Sequence, residues 1–247
     1  MIDTVYIMHV GDIMIFFTHG MKAEAVIFDF DGVIVDTEPL HYTSFQRVLE
    51  PLELGFSWQD YVDIYMGFDD RDAFVEAYAA AGRAMNTDIL HSLISQKALF
   101  FQDVIREGVS AYPGVVALIR RLHAEKIPLA ISSGALRSDI DPILVTLGLQ
   151  ECFETIVTAE DVTKSKPDPE CYQLAFDKLC QRHKVSYAKS STIAIEDTPA
   201  GILAARLAGL QVIAVSNSYA PEKLSDASFV TDSLEPLVNF RLASPQQ

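Results

Sequence analysis

The chain has 247 residues, 49% hydrophobic and 21% charged, which excludes a disordered or fibrous polymer and accommodates one large domain or one domain with an insert. Its 34 acidic residues against 19 basic ones give a formal charge of -15, a field that repels nucleic acid and anionic membrane, so neither is expected as a partner. The same field would repel a phosphorylated substrate, so any phosphate site needs its own local cations, a placed lysine or a metal ion.

Taken in chain order, Met1–Gly20 is apolar in patches but interrupted by Asp3, His9, Asp12 and His19. It lacks the roughly 20 apolar residues of a membrane span and the basic start and small-residue cleavage site of a signal peptide. It reads as an N-terminal extension over 1–20, with Met21 expected as the natural start. Ala25–Phe28 is a wholly apolar run ending in Asp29, the pattern of a strand buried on both faces. Similar runs follow at Pro128–Ile131, Glu154–Thr158, Thr192–Ile195 and Gln211–Val215, with a last short strand at Phe229–Thr231. Amphipathic stretches at Val115–Glu125, Ile140–Leu147, Pro169–Arg182 and Ala200–Ala208 predict helices between them, and Leu234–Leu237 a short one after them. Gly148 and Gly209 sit where helix C-terminal glycines belong.

The alternation predicts an α/β fold, a Rossmann-like parallel sheet with helices on both faces. One spacing departs from it. Asp29 to Ser132 spans 103 positions, whereas Ser132 to Lys166 spans 34 and Lys166 to Asp197 spans 31. A strand-helix-strand unit takes about 30 residues, so the first gap holds roughly 70 extra. Helical periodicity at Asp72–Ala81 and Ile89–Phe101 makes 40–110 a small all-helical cap domain inserted between 21–39 and 111–247 of the core. Cys152, Cys171 and Cys180 form no CxxC pair, so free thiols in a reducing cytoplasm are expected.

Chemistry concentrates at the predicted strand ends, where open parallel sheets bind ligands. Asp29 and Asp31, two residues apart, point their carboxylates the same way, and Gly32 permits a sharp turn behind them. Converging carboxylates call for a cation, and hard oxygens suit magnesium. Ser132, Ser133 and Gly134 offer hydroxyls and amides for a phosphate oxygen. Lys166 precedes the cap-and-proline start Asp168-Pro169 and is placed to balance anionic charge. Glu196 and Asp197 close the set as a second acidic corner before Pro199. Each alone is also compatible with an ordinary solvated loop; four apt sites at four strand ends are specific together.

These residues resemble the haloacid dehalogenase-like hydrolase superfamily, from Lys22 to about Leu237, and most closely its branch containing β-phosphoglucomutase and phosphoglycolate phosphatase. The resemblance implies Asp29 as nucleophile, Asp31 as acid/base, Ser132 and Lys166 as phosphate-holding residues, and Asp197 with Glu196 as a magnesium site. It implies a helical cap that closes over the site, and hydrolysis of a small phosphorylated metabolite through an aspartyl phosphate. Ser165 stands where the family usually has glycine. The presence of Asp31 favours phosphate-ester chemistry, because dehalogenating members lack that second aspartate. In the cap, Gly67–Arg71 is a candidate substrate loop, with Arg71 and His41 as candidate substrate contacts. The alternatives are a phosphomutase and a catalytically idle binding protein. Against the mutase, Asp70 stands where its cap loop carries an arginine, with few other cap cations in Arg83, Lys97 and Arg106.

Overall fold

The computed structural model describes residues 6–10, 13–17, 23–65, 68 and 70–238. Part of the expected extension forms an antiparallel hairpin, β1 (Tyr6–Val10) and β2 (Ile13–Phe17), with Val10 paired to Ile13. Met21, the expected start, lies outside the described residues, as do Gly67 and Asp69 of the candidate substrate loop. The chain divides into two compact units, 1–35 with 111–247, and 36–110.

The larger unit holds six parallel strands: β3 (Ala25–Phe28), β4 (Leu129–Ser132), β5 (Thr155–Val157), β6 (Thr192–Glu196), β7 (Gln211–Val215) and β8 (Phe229–Thr231). Their order is β5-β4-β3-β6-β7-β8, so the chain reverses its winding between β3 and β6. Such a switch point opens a crevice beyond the strands' carboxyl ends. Register sets the level of that crevice. Phe28 pairs with both Ile131 and Ile195, so Asp29, Ser132 and Glu196 come off three adjacent strands side by side.

In the smaller unit, α1 (Glu38–Leu49), the single turn α2 (Trp58–Asp60), α3 (Asp70–Ala80) and α4 (Thr87–Glu107) enclose a separate core around Phe45, Leu49, Phe74 and Leu93. This unit, 36–110, opens with α1, which carries Pro39 in its first turn, where a missing N–H costs nothing. α4 runs longer than its periodic stretch: the Asn86 side chain accepts from Ile89 N at 2.8 Å and caps its start.

The helices of the larger unit are α5 (Val115–Ala124), α6 (Arg137–Leu147), α7 (Glu170–His183), α8 (Pro199–Leu207) and α9 (Glu235–Val238). One sheet face packs Ala25, Ile27, Ala194 and Val212 against Tyr172 and Leu179 of α7 and Ile202 and Ala205 of α8. The alternate residues Val26, Phe28, Ile131 and Ile195 are equally buried, so the sheet is covered on both faces. No helix among the described residues is long and apolar enough to cross a membrane.

Candidate active site

Asp29 is the first residue past β3 and is buried at 7% exposure. Its Oδ1 accepts from Phe30 N at 2.7 Å, and its Oδ2 lies 2.9 Å from Lys166 Nζ. Lys166 comes from the loop between β5 and α7, which Glu170 fastens by accepting from Thr163 N and Lys164 N at 3.1 and 2.9 Å. The ammonium sits closer still to Glu196 Oε1, at 2.6 Å, and 5.0 Å above the Tyr172 ring.

Glu196 is fully buried, and both its oxygens are engaged. Tyr172 donates its hydroxyl to Oε1 at 2.7 Å, while Oε2 accepts from Asp197 N at 3.1 Å and from the Thr198 hydroxyl at 3.2 Å. Thr198 also caps α8 by accepting from Gly201 N. Gly201 makes room for this arrangement, since a Cβ there would fall 1.9 Å from Glu196 Oε1. Beside it, Asp197 is 1% exposed; Ser218 donates to its Oδ2, and its Oδ1 is buried with no partner among the described residues. Gly32, at φ +75°, lies so close that its Cβ would stand 1.9 Å from Asp197 Oδ2, so both the turn and the approach require glycine there.

Among the described residues Lys166 is the cation set against these three buried carboxylates, and the field divides them unequally. Burial opposes the charges of both Lys166 and Glu196, but Lys166 is held up by Asp29 and Glu196, and Glu196 is held low by Lys166, so that pair is ionised. Asp29 is pushed well above the usual carboxylate range, first by burial and then by Glu196. Asp197 is raised to about 7 by burial and by Glu196, against the opposing hydrogen bond from Ser218. Candidate ligand oxygens of Asp29, Glu196 and Asp197 lie within 4.8 Å of one another. With all three ionised they would outweigh Lys166 by two negative charges, and the buried Asp197 Oδ1 has no partner among the described residues. That donor set fits a hard divalent cation.

Asp31 is half-buried, with Ser133 Oγ 3.4 Å from its Oδ2. The neighbouring Ser132 is fully buried and its Oγ has no hydrogen-bond partner among the described residues. The structure therefore brings together Asp29, Asp31, Ser133, Lys166, Glu196 and Asp197. His41 and Arg71 belong to the helical unit. There His41 stacks on Phe101 at 4.5 Å and its Nδ1 lies 2.8 Å from Lys97 Nζ, which in turn pairs with Asp70 at 2.7 Å. Arg71 is exposed in the first turn of α3.

Tyr172, Asn217 and Ser218 escaped the sequence reading. Tyr172 offered no signal, because a tyrosine on an amphipathic helix reads as core. Ser218 did offer one: it lies just past β7, at the same kind of strand end that marked the others.

A family model described as haloacid dehalogenase-like hydrolase matches residues 26–215. A Thermotoga maritima protein named phosphorylated carbohydrates phosphatase is 28% identical over 77% of this chain and 83% of its own. The Escherichia coli fructose-1-phosphate phosphatase YqaB is 27% identical over 77% of this chain and 95% of its own. Among solved structures, one from Thermotoga maritima provisionally described as a β-phosphoglucomutase superposes with a TM-score of 0.74 at 26% identity, covering 87% of this chain and 96% of that one.

Proposed function

This chain belongs to the haloacid dehalogenase-like hydrolases, and on that premise we propose that it hydrolyses small phosphomonoesters through a phosphorylated Asp29. The observation that carries the reading is the poise of Asp29: a strand-end carboxylate held by Phe30 N–H and Lys166, beside the unpartnered oxygen of Asp197. Asp29 attacks phosphorus in line, forming the new P–O bond as the ester P–O bond breaks. Asp31, held near Ser133, gives its proton to the departing alkoxide. The resulting carboxylate then takes a proton from the water that attacks the aspartyl phosphate, which releases phosphate and restores Asp29. Lys166 offsets charge on Asp29 and on the phosphate oxygens, and Ser133 is the hydroxyl placed beside the catalytic pair.

A magnesium ion held by Asp29, Asp197 and the Asp31 carbonyl would supply charge neutralisation and fix the phosphate's orientation. Glu196 has both oxygens engaged by this chain's own donors, so its part is to anchor Lys166. The relatives' named substrates make sugar monophosphates the first class to try.

The structural relative described as a mutase favours a second reading, transfer of the phosphoryl group back to a sugar. A mutase must hold a second phosphate, yet the helical unit ties up most of its described cations. Lys97 pairs with Asp70, Arg47 with Glu107 and Arg106 with Asp103, while Arg83 donates to the Leu52 carbonyl. Hydrolysis is the better fit. The test incubates the protein and magnesium with a panel of sugar phosphates, including β-glucose 1-phosphate with catalytic glucose 1,6-bisphosphate, and follows both free phosphate and isomerised sugar. Phosphate release abolished by Asp29→Asn and by chelation is expected. Stoichiometric glucose 6-phosphate with little free phosphate would refute hydrolysis. Because burial and Glu196 already oppose a charge on Asp29, Asp29→Asn should melt near wild type without metal.

A further inference from the structure

We infer that Asn217 and Ser218, on the loop after β7, are positioning residues that brace the cation site and set its affinity. The inference rests on the cation site proposed above. Ser218 donates its hydroxyl to Asp197 Oδ2 while Oδ1 stays buried and unpartnered. An aspartate's terminal torsion is broad and roughly two-fold, so without a donor on one oxygen the carboxylate has no fixed face to present. The adjacent Asn217 donates through Nδ2 to the Gly32 carbonyl at 2.6 Å. That bond holds the turn after Asp31 against Asp197, where there is no room even for a Cβ on Gly32.

Two consecutive side chains of one loop thus tie together the chain ends leaving β3 and β6, the two strands that flank the switch point. One fixes the carboxylate that would coordinate; the other fixes the turn that follows the Asp31 carbonyl. Neither residue needs to touch the ion or the substrate. Partners of metal ligands act in this way by orienting the ligand, and losing one typically costs 10- to 100-fold in metal affinity.

The experiment titrates Mn2+ into the full chain, freed of metal by chelation, and follows unbound Mn2+ by electron paramagnetic resonance. Melting temperature in the chelator is measured alongside. Ser218→Ala is expected to raise the Mn2+ Kd about 10- to 100-fold while leaving the metal-free melting temperature near wild type. Ser218→Thr, which keeps the hydroxyl, should return the Kd to within a few-fold of wild type. Asn217→Ala should weaken binding in the same direction. An unchanged Kd in Ser218→Ala, with wild type binding Mn2+ normally, would overturn the brace and leave the proposed catalysis standing. A Kd loss that Ser218→Thr fails to restore, or that tracks an equal loss of metal-free stability, would also overturn it. No Mn2+ binding by wild type would overturn the cation site and the brace together.

Discussion

Replacing Gly201 by alanine sets a local preference against a tertiary one. Alanine is favoured over glycine by about 1 kcal/mol in a helix interior, so at Gly201, in the first turn of α8, the change should gain up to about that much. Gly201, however, is where a Cβ would stand 1.9 to 2.1 Å from the carboxylate atoms of Glu196. That carboxylate is the far end of a side chain, but it cannot swing freely, because Lys166, Tyr172 and Thr198 all hold it. Displacing one partner of a buried ion pair costs about 3–5 kcal/mol. The larger effect wins, and a net loss of about 2–4 kcal/mol is expected after the helix gain. Urea denaturation without metal measures it, together with phosphatase turnover, which should fall because Lys166 loses its anchor. A double-mutant cycle isolates the cause: in a Glu196→Ala background the same Gly201→Ala change should be neutral or stabilising by up to about 1 kcal/mol. If Gly201→Ala proves as stable as wild type, or equally destabilising in both backgrounds, clash with the Glu196 carboxylate is not what the glycine avoids.

Asp31→Asn should lower turnover of a sugar phosphate by about 10²- to 10⁴-fold, and of p-nitrophenyl phosphate far less, since only the poor leaving group needs a proton; equal losses on both would refute the general-acid role. Burial and the neighbouring Lys97 depress His41 to about 3, against 6.5 for the free side chain. Stability from the neutral ring is therefore complete above pH 6.5 and is lost as pH falls from there towards 3, because the unfolded chain takes up the proton first. Between pH 7.5 and pH 5 this one group should remove about 2 kcal/mol, read from urea midpoints. His41→Asn should flatten that dependence, and an unaltered slope in the variant would rule His41 out as its source.

Much of the candidate site is written along the chain because a doubly covered parallel sheet imposes a severe pattern. Its strands must be apolar throughout, so Ala25–Phe28 and Thr192–Ile195 stand out, and polar residues just past them fall at one edge of the sheet. That rule singles out Asp29, Asp31, Glu196 and Asp197, while Lys166 is marked by the helix start at Asp168-Pro169 that follows it. The stretch between Asp29 and Ser132 is too long for a single crossover, and the compact unit 36–110 lies within it. Only the tertiary structure decided how these groups share charge. Lys166 stands 2.6 Å from Glu196 and 2.9 Å from Asp29, and Tyr172 and Thr198 add donors to Glu196 alone, so Asp29 and Asp197 are left short of positive charge. Strand alternation turns Ser132 and Ser133 to opposite faces, and packing put Ser133 beside Asp31. Asp70, which the sequence marked only as an acid where a mutase carries arginine, proves to be the partner of buried Lys97. Periodicity reports the local sterics of a strand or helix. Electrostatic partition depends on differences of a few tenths of an ångström in the separation of groups far apart in the chain, in an interior of low dielectric where such differences count most.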